Sequence, residues 1–227
     1  MDYQINRHKI FGLLLATGVF ALALYFVAVR DLEGLARMPG DLGDSRLNNI
    51  FLENVWQVLI GRSESFIHLP FFWPFPYVVG FSDNLWGSAP FYVILRAVGY
   101  GPMESFQLWY YLGFVLNFIS MFWVLSKLKF SLLASISGSL FYAFCMPGLV
   151  QAGHVQLHYR FAIPFAVYFC ATWLHEADAK ALVLSALWTV WQFWIGMYMG
   201  IFLLLLLLSA TATAVFLKIK HNSLKSW

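Results

Sequence analysis

Residues 10–29 form an unbroken run of twenty without a charge. At about 1.5 Å of rise per residue, such a run covers the ~30 Å hydrocarbon core of a bilayer. A secretory signal is the competing reading. Its apolar region is usually about 7–15 residues and ends in small residues, whereas this run is longer and closes on Val27-Ala28-Val29-Arg30. A retained anchor helix fits better. Five more apolar stretches follow at residues 106–125, 131–150, 159–174, 181–195 and 199–217. Composition agrees: 61% of the chain is hydrophobic and 11% charged, with mean hydropathy +0.71, against roughly 45–50% and about 25% in soluble domains. The expectation is an all-α polytopic membrane protein of about six transmembrane helices. Its first loop, residues 30–105, is long and carries surface helices.

Charge placement orients this layout. With residues 1–9 on the cytoplasmic side, residues 126–130, 175–180 and 218–227 join them there. That side holds eight basic residues against three acids, a net +5, and all seven lysines. The other side holds six arginines against eight acids, a net −2. A Lys and Arg excess in short loops marks the cytoplasmic face. Residues 1–9 therefore read as a cytoplasmic N-terminus, 10–29 as the first span, 30–105 as an extracytoplasmic loop, 106–217 as the remaining bundle and 218–227 as a cytoplasmic tail. The protein is expected in a bacterial inner or plasma membrane, with the bilayer as partner and no nucleic acid. Cys145 and Cys170 read as small core residues rather than a disulfide.

Within the outer loop, Asp41 and Asp44 lie three apart in the glycine-broken turn GDLGDSR. Glycines 40 and 43 permit a tight turn in which the carboxylates approach each other and a substrate. Leu47, Ile50, Phe51, Val55, Val58 and Leu59 follow at helical spacing, so an amphipathic helix lies on the membrane with its positive N-terminus beside Asp44. Arg46 stands two residues further on. The plainer alternative makes Asp44 or Ser45 an N-cap and Asp41 a turn former. Glu53 and Asn49 fall on the polar side of that helix, where they either line the site or, more simply, form a solvated face. Residues 71–77 are too rich in proline for a spanning helix, and 90–98 suit a short surface helix.

A second polar cluster, QAGHVQLHYR, stands at the outer end of the third and fourth stretches. His154 and His158 are four apart and would share a face of a helix. With Arg160 they form a candidate anion site for phosphate or pyrophosphate. Two acids and two histidines permit a divalent cation without requiring one, because HxxxH alone supplies two ligands. Asp83 is a candidate third acid facing the same space, and turn chemistry explains it equally well. Gln192 and Tyr198, beside the break at Gly196-Met197-Tyr198-Met199-Gly200, are candidates for contact with a lipid carrier, and packing between helices is the simpler reading.

The order of these pieces resembles the N-terminal part of the bacterial polytopic glycosyltransferases of the GT-C class. The resemblance rests on GDLGDSRLNN with its LEN, then LPFFWPFPYVVGFSDNLWG, GHVQLH and QFWIGMYMGIF. It implies many spans and an outer first loop over a lipid-carrier groove. It also implies transfer of a sugar, with inversion, from a polyprenyl-phosphate donor to a glycan, lipid or protein acceptor on the extracytoplasmic face. An acid of the first outer loop is the general base of that class, which by motif position is Asp44, with Asp41 second. Arg46, Arg160 or His158 would offset charge on the leaving phosphate. No cofactor is implied beyond that permitted cation. Enzymes of the class usually carry more spans, so a fragment or a shortened relative is expected. The other reading is a transporter or flippase for lipid-linked saccharides, or an assembly subunit.

Overall fold

The computed structural model describes residues 2–29, 33, 36–40, 43–69, 71–72, 74–145 and 153–225. Among them every regular element is helical. The α-helices are α1 (Asp2–Leu24), α2 (Asp44–Leu59), α3 (Ala89–Val98), α4 (Pro102–Lys127), α5 (Leu132–Ala143), α6 (Ala162–Glu176), α7 (Ala179–Ile195) and α8 (Met197–Lys225). A helix therefore stands at each apolar stretch expected to span, and α2 and α3 stand where surface helices were expected.

Two of these helices are long and apolar enough to cross a membrane. Pro102–Lys127 has a mean hydropathy of 1.6 in its best window, and Met197–Lys218 reaches 2.4. The other apolar helical stretches are shorter, Ile10–Leu24 of α1 among them; α5 has 12 residues and α7 has 17, about 18 and 26 Å of helix. Leu205, Leu206, Leu208 and Phe216 leave much of α8 exposed, and α1 likewise presents Phe11, Leu13 and Leu14.

Local chemistry sets the helix ends. Pro102 opens α4 where a missing N–H costs nothing. The Ser131 hydroxyl accepts from the Ala134 N–H at 3.3 Å to cap α5, and the Asp178 carboxylate accepts from the Lys180 N–H at 2.9 Å to cap α7. Gly196 is extended, so the path from α7 to α8 breaks there as the sequence predicted.

In the bundle α4 packs along α5, α6 along α7, and α7 against α8, while α3 bridges α2 and α4. The core lies where the segment between α1 and α4 meets the other helices. Leu52 of α2, Leu85, Tyr92 of α3, Phe106 and Trp109 of α4, Tyr159 and Ile195 are all buried there. Trp109 and Tyr159 stack with centroids 4.6 Å apart, and the Tyr159 hydroxyl donates to the Trp109 carbonyl at 2.6 Å. Cys170 is buried, as expected of a small core residue, while Cys145 is only half-buried, and both are free thiols.

Candidate functional site

Asp44 is the first residue of α2. Gly43 takes the N-cap position and supplies no side-chain cap. The Asp44 carboxylate instead reaches across 110 residues of sequence, its Oδ2 lying 2.6 Å from Nδ1 of His154. Its role is thus tertiary, not the N-cap that was the plainer reading. Both side chains stay open to solvent, His154 at 50% and Asp44 at 42%. Gln156 Nε2 donates to the same Oδ2 at 3.4 Å. Gln156 is itself oriented, because its Oε1 accepts from Asn48 Nδ2 at 2.8 Å. Asn48 is buried one turn along α2. An amide chain running from α2 through the 155–157 turn and back to α2 therefore locks the carboxylate and imidazole together.

The segment carrying His154 is pinned from beneath. Residues 155–157 make a single 3-10 turn, so His154 and His158 do not share the helix face expected of them. His158 is buried at 8% exposure and sits 2.8 Å from the Tyr110 carbonyl, to which its Nε2–H donates. Its ring stacks on Tyr110, 4.5 Å between centroids. Burial first and the nearby Arg160 second push its pKa down to about 3, against a smaller opposing pull from the Tyr110 carbonyl. It is a neutral ring. A β-carbon at Gly113 would run into it, so α4 needs glycine at that point of closest approach. Asn117, buried on α4, donates to the His158 carbonyl and accepts from the Arg160 N–H, both at 2.9 Å.

Arg160 is also turned inward. Its guanidinium meets Cys145 Sγ at 3.0 Å and the Tyr142 carbonyl at 3.2 Å, and lies 5.5 Å from the Tyr142 ring centre. His158 and Arg160 thus hold the loop in place and do not face Asp44 together. Arg46 is exposed on α2. Asp41 lies outside the described residues.

Asp83 is buried, and its carboxylate accepts from the backbone N–H of Met197 at the start of α8. Burial raises its pKa, opposed by the Met197 and Tyr198 backbone N–H groups. Nearby, the Gly87 N–H donates to the Trp194 carbonyl at 2.7 Å. A side chain on Gly87 would strike Ile195 and the Trp194 backbone. Asp83 and Gly87 therefore clasp the segment before α3 onto the α7–α8 junction. That junction also touches the Asp44 site, since a β-carbon on Gly196 would come 3.2 Å from the Gln156 carbonyl. Gln192 donates to the Tyr159 carbonyl at 3.1 Å, in the packing role expected of it.

Trp194 and Trp86 line two apolar clefts of about 510 and 570 Å³ on either side of Pro90. Among the described residues, no group of three or more His, Cys, Asp and Glu is placed to hold a metal ion.

Sequence spacing marks Asp44 and His154 without pairing them, and nothing in it gives Asn48 or Gln156 a site role. Amide side chains carry no signal until the fold brings them together. No protein-family model, curated protein or solved structure matches this chain.

Proposed function

We propose that this protein is a membrane glycosyltransferase that moves a sugar from a polyprenyl-phosphate donor to an acceptor hydroxyl on the extracytoplasmic face. The observation that carries the proposal is the solvent-facing contact between Asp44 and His154. A carboxylate and an imidazole in hydrogen-bond contact form a basic centre, and general bases of this kind contribute about 10²–10⁴-fold to a rate. The centre takes the proton from the acceptor hydroxyl as its oxygen attacks the anomeric carbon. The phosphate leaves from the opposite face, so configuration inverts.

Three features support this reading. The first turn of α2 presents backbone N–H groups and positive helix-end potential beside Asp44, with Arg46 two residues on, a setting that favours a phosphate. The apolar clefts flanking Trp194 offer a place for a prenyl chain, and Gly196, two residues beyond Trp194, abuts Gln156. Finally, the six apolar stretches and the lysine distribution favour six crossings with Asp44 and His154 outside.

The test is transfer from a labelled polyprenyl-phosphate sugar in proteoliposomes. The expected result is a labelled product of inverted anomeric configuration, abolished by Asp44→Asn with membrane insertion unchanged. Label that merely changes leaflet while remaining on the lipid would make the protein a transporter. An Asp44→Asn variant transferring at near wild-type rate would remove Asp44 from the mechanism.

A further inference from the structure

Building on the transfer reading above, we infer that the atom accepting the acceptor's proton is Nε2 of His154, with Asp44 as its positioning residue. His154 meets Asp44 through Nδ1. A ring nitrogen that faces a carboxylate carries the proton of that hydrogen bond, so the tautomer is fixed and the lone pair resides on Nε2. Among the described residues, Nε2 makes no hydrogen bond, and the ring is half exposed. On Asp44, by contrast, the oxygen facing the ring is already engaged. Its Oδ2 receives both the imidazole and the Gln156 amide, and the Asn48–Gln156 contact keeps the donor end of that amide aimed at it. The arrangement has the logic of a nucleophile–base–orienter triad in which the substrate hydroxyl is the nucleophile.

Among the described residues, no other charged or imidazole side chain contacts this pair. His158 lies beneath, bonded to the Tyr110 carbonyl, and Arg160 is turned to Tyr142 and Cys145. Asp83, beside Gly196, is held by the Met197 N–H. Arg46 is exposed on α2.

In the step, the acceptor O–H bond breaks and its proton passes to Nε2. The oxygen's electron pair forms the new bond to the anomeric carbon. The bond from that carbon to the phosphate oxygen breaks, and its pair stays on the phosphate. The imidazolium formed at His154 is stabilised by the Asp44 carboxylate until the proton is lost to water.

The experiment measures transfer by the full chain in proteoliposomes for wild type, His154→Ala, His154→Asn and Asp44→Ala. Thermal unfolding serves as a control, since His154 is exposed and its loss should leave the fold intact. Asparagine can still hydrogen-bond Asp44 but cannot take a proton. Both His154 variants are expected to fall about 10²–10⁴-fold. Added imidazole should restore transfer to the alanine variant, and across a series of substituted imidazoles the rescued rate should rise with basicity. Formate should rescue none of the variants.

The assignment is overturned if His154→Asn works within about threefold of wild type. It is also overturned if formate rescues Asp44→Ala while imidazole fails on His154→Ala, which would give the base role to the carboxylate. A wild type that transfers nothing overturns the transfer reading and this assignment with it. A transferring wild type matched by its His154→Asn variant overturns the assignment alone.

Discussion

His158 holds its place as a neutral ring between Tyr110, Phe114 and Gly113. Folding depresses its proton affinity from 6.5 to about 3. As pH falls, the unfolded chain therefore takes up a proton before the folded one does. The contribution to stability is complete above about 6.5 and is lost as pH falls from there toward 3, at up to about 1.4 kcal/mol per unit. Thermal unfolding in detergent between pH 7 and pH 5 should show this decline, and His158→Gln should remove that part of the slope even if it lowers stability throughout. Asp83 runs the other way. Its pKa is raised on folding, so its contribution is fullest at low pH and is lost as pH rises through the folded value. Asp83→Asn keeps an acceptor for the Met197 N–H without the charge, so its unfolding temperature at pH 7 should equal or exceed that of wild type. Asp83→Ala should fall by about 1 kcal/mol, the usual loss for a removed cap. The sequence marked all these residues as chemically notable but could not rank His154 against His158. The two differ only in their partners, an acid 110 residues away and a carbonyl 48 residues away, and spacing within a decapeptide says nothing about either.

The seating of α2 depends on a second polar contact. Glu53, at 19% side-chain exposure, receives a forked pair of bonds from Arg96 of α3 at 2.9 and 3.1 Å. The Tyr92 hydroxyl donates to the same carboxylate at 2.7 Å, and Gln57 donates to it from one turn along α2. Burial and Glu53 together raise the Tyr92 pKa, so that donor keeps its proton. Glu53 is therefore not the solvated side chain that its place on the polar face of α2 predicted. Arg96→Met strands a half-buried carboxylate and should cost about 2 kcal/mol. The Glu53→Gln and Arg96→Met double variant should cost less than the sum of the single ones, measured by thermal unfolding. The helices themselves were legible. Apolar spacing marks α2, and the long apolar stretches mark α1 and α4 to α8, because periodicity and length are properties of contiguous sequence. The clamp from α3 to α2 was not, since charge on an amphipathic helix reads as solvated until a partner helix is laid beside it.

For the whole molecule, sidedness is the testable property. Single cysteines introduced at Arg46 and at Lys180 should react with impermeant reagents from opposite faces of the membrane. Reaction from one face would dismantle the proposed crossing pattern. The clasp at Gly196 adds a matter of timing. Asp83 of the first loop closes on the N–H of Met197, and Gly87 closes on Trp194, so the early loop rests on residues made more than a hundred positions later. A ribosome releases the chain from its N-terminus onward. The contacts of Asp83 and Gly87 therefore wait until synthesis has passed residue 197. Nascent chains arrested with 190 residues outside the ribosome should yield this loop to protease, and those arrested with 210 outside should resist.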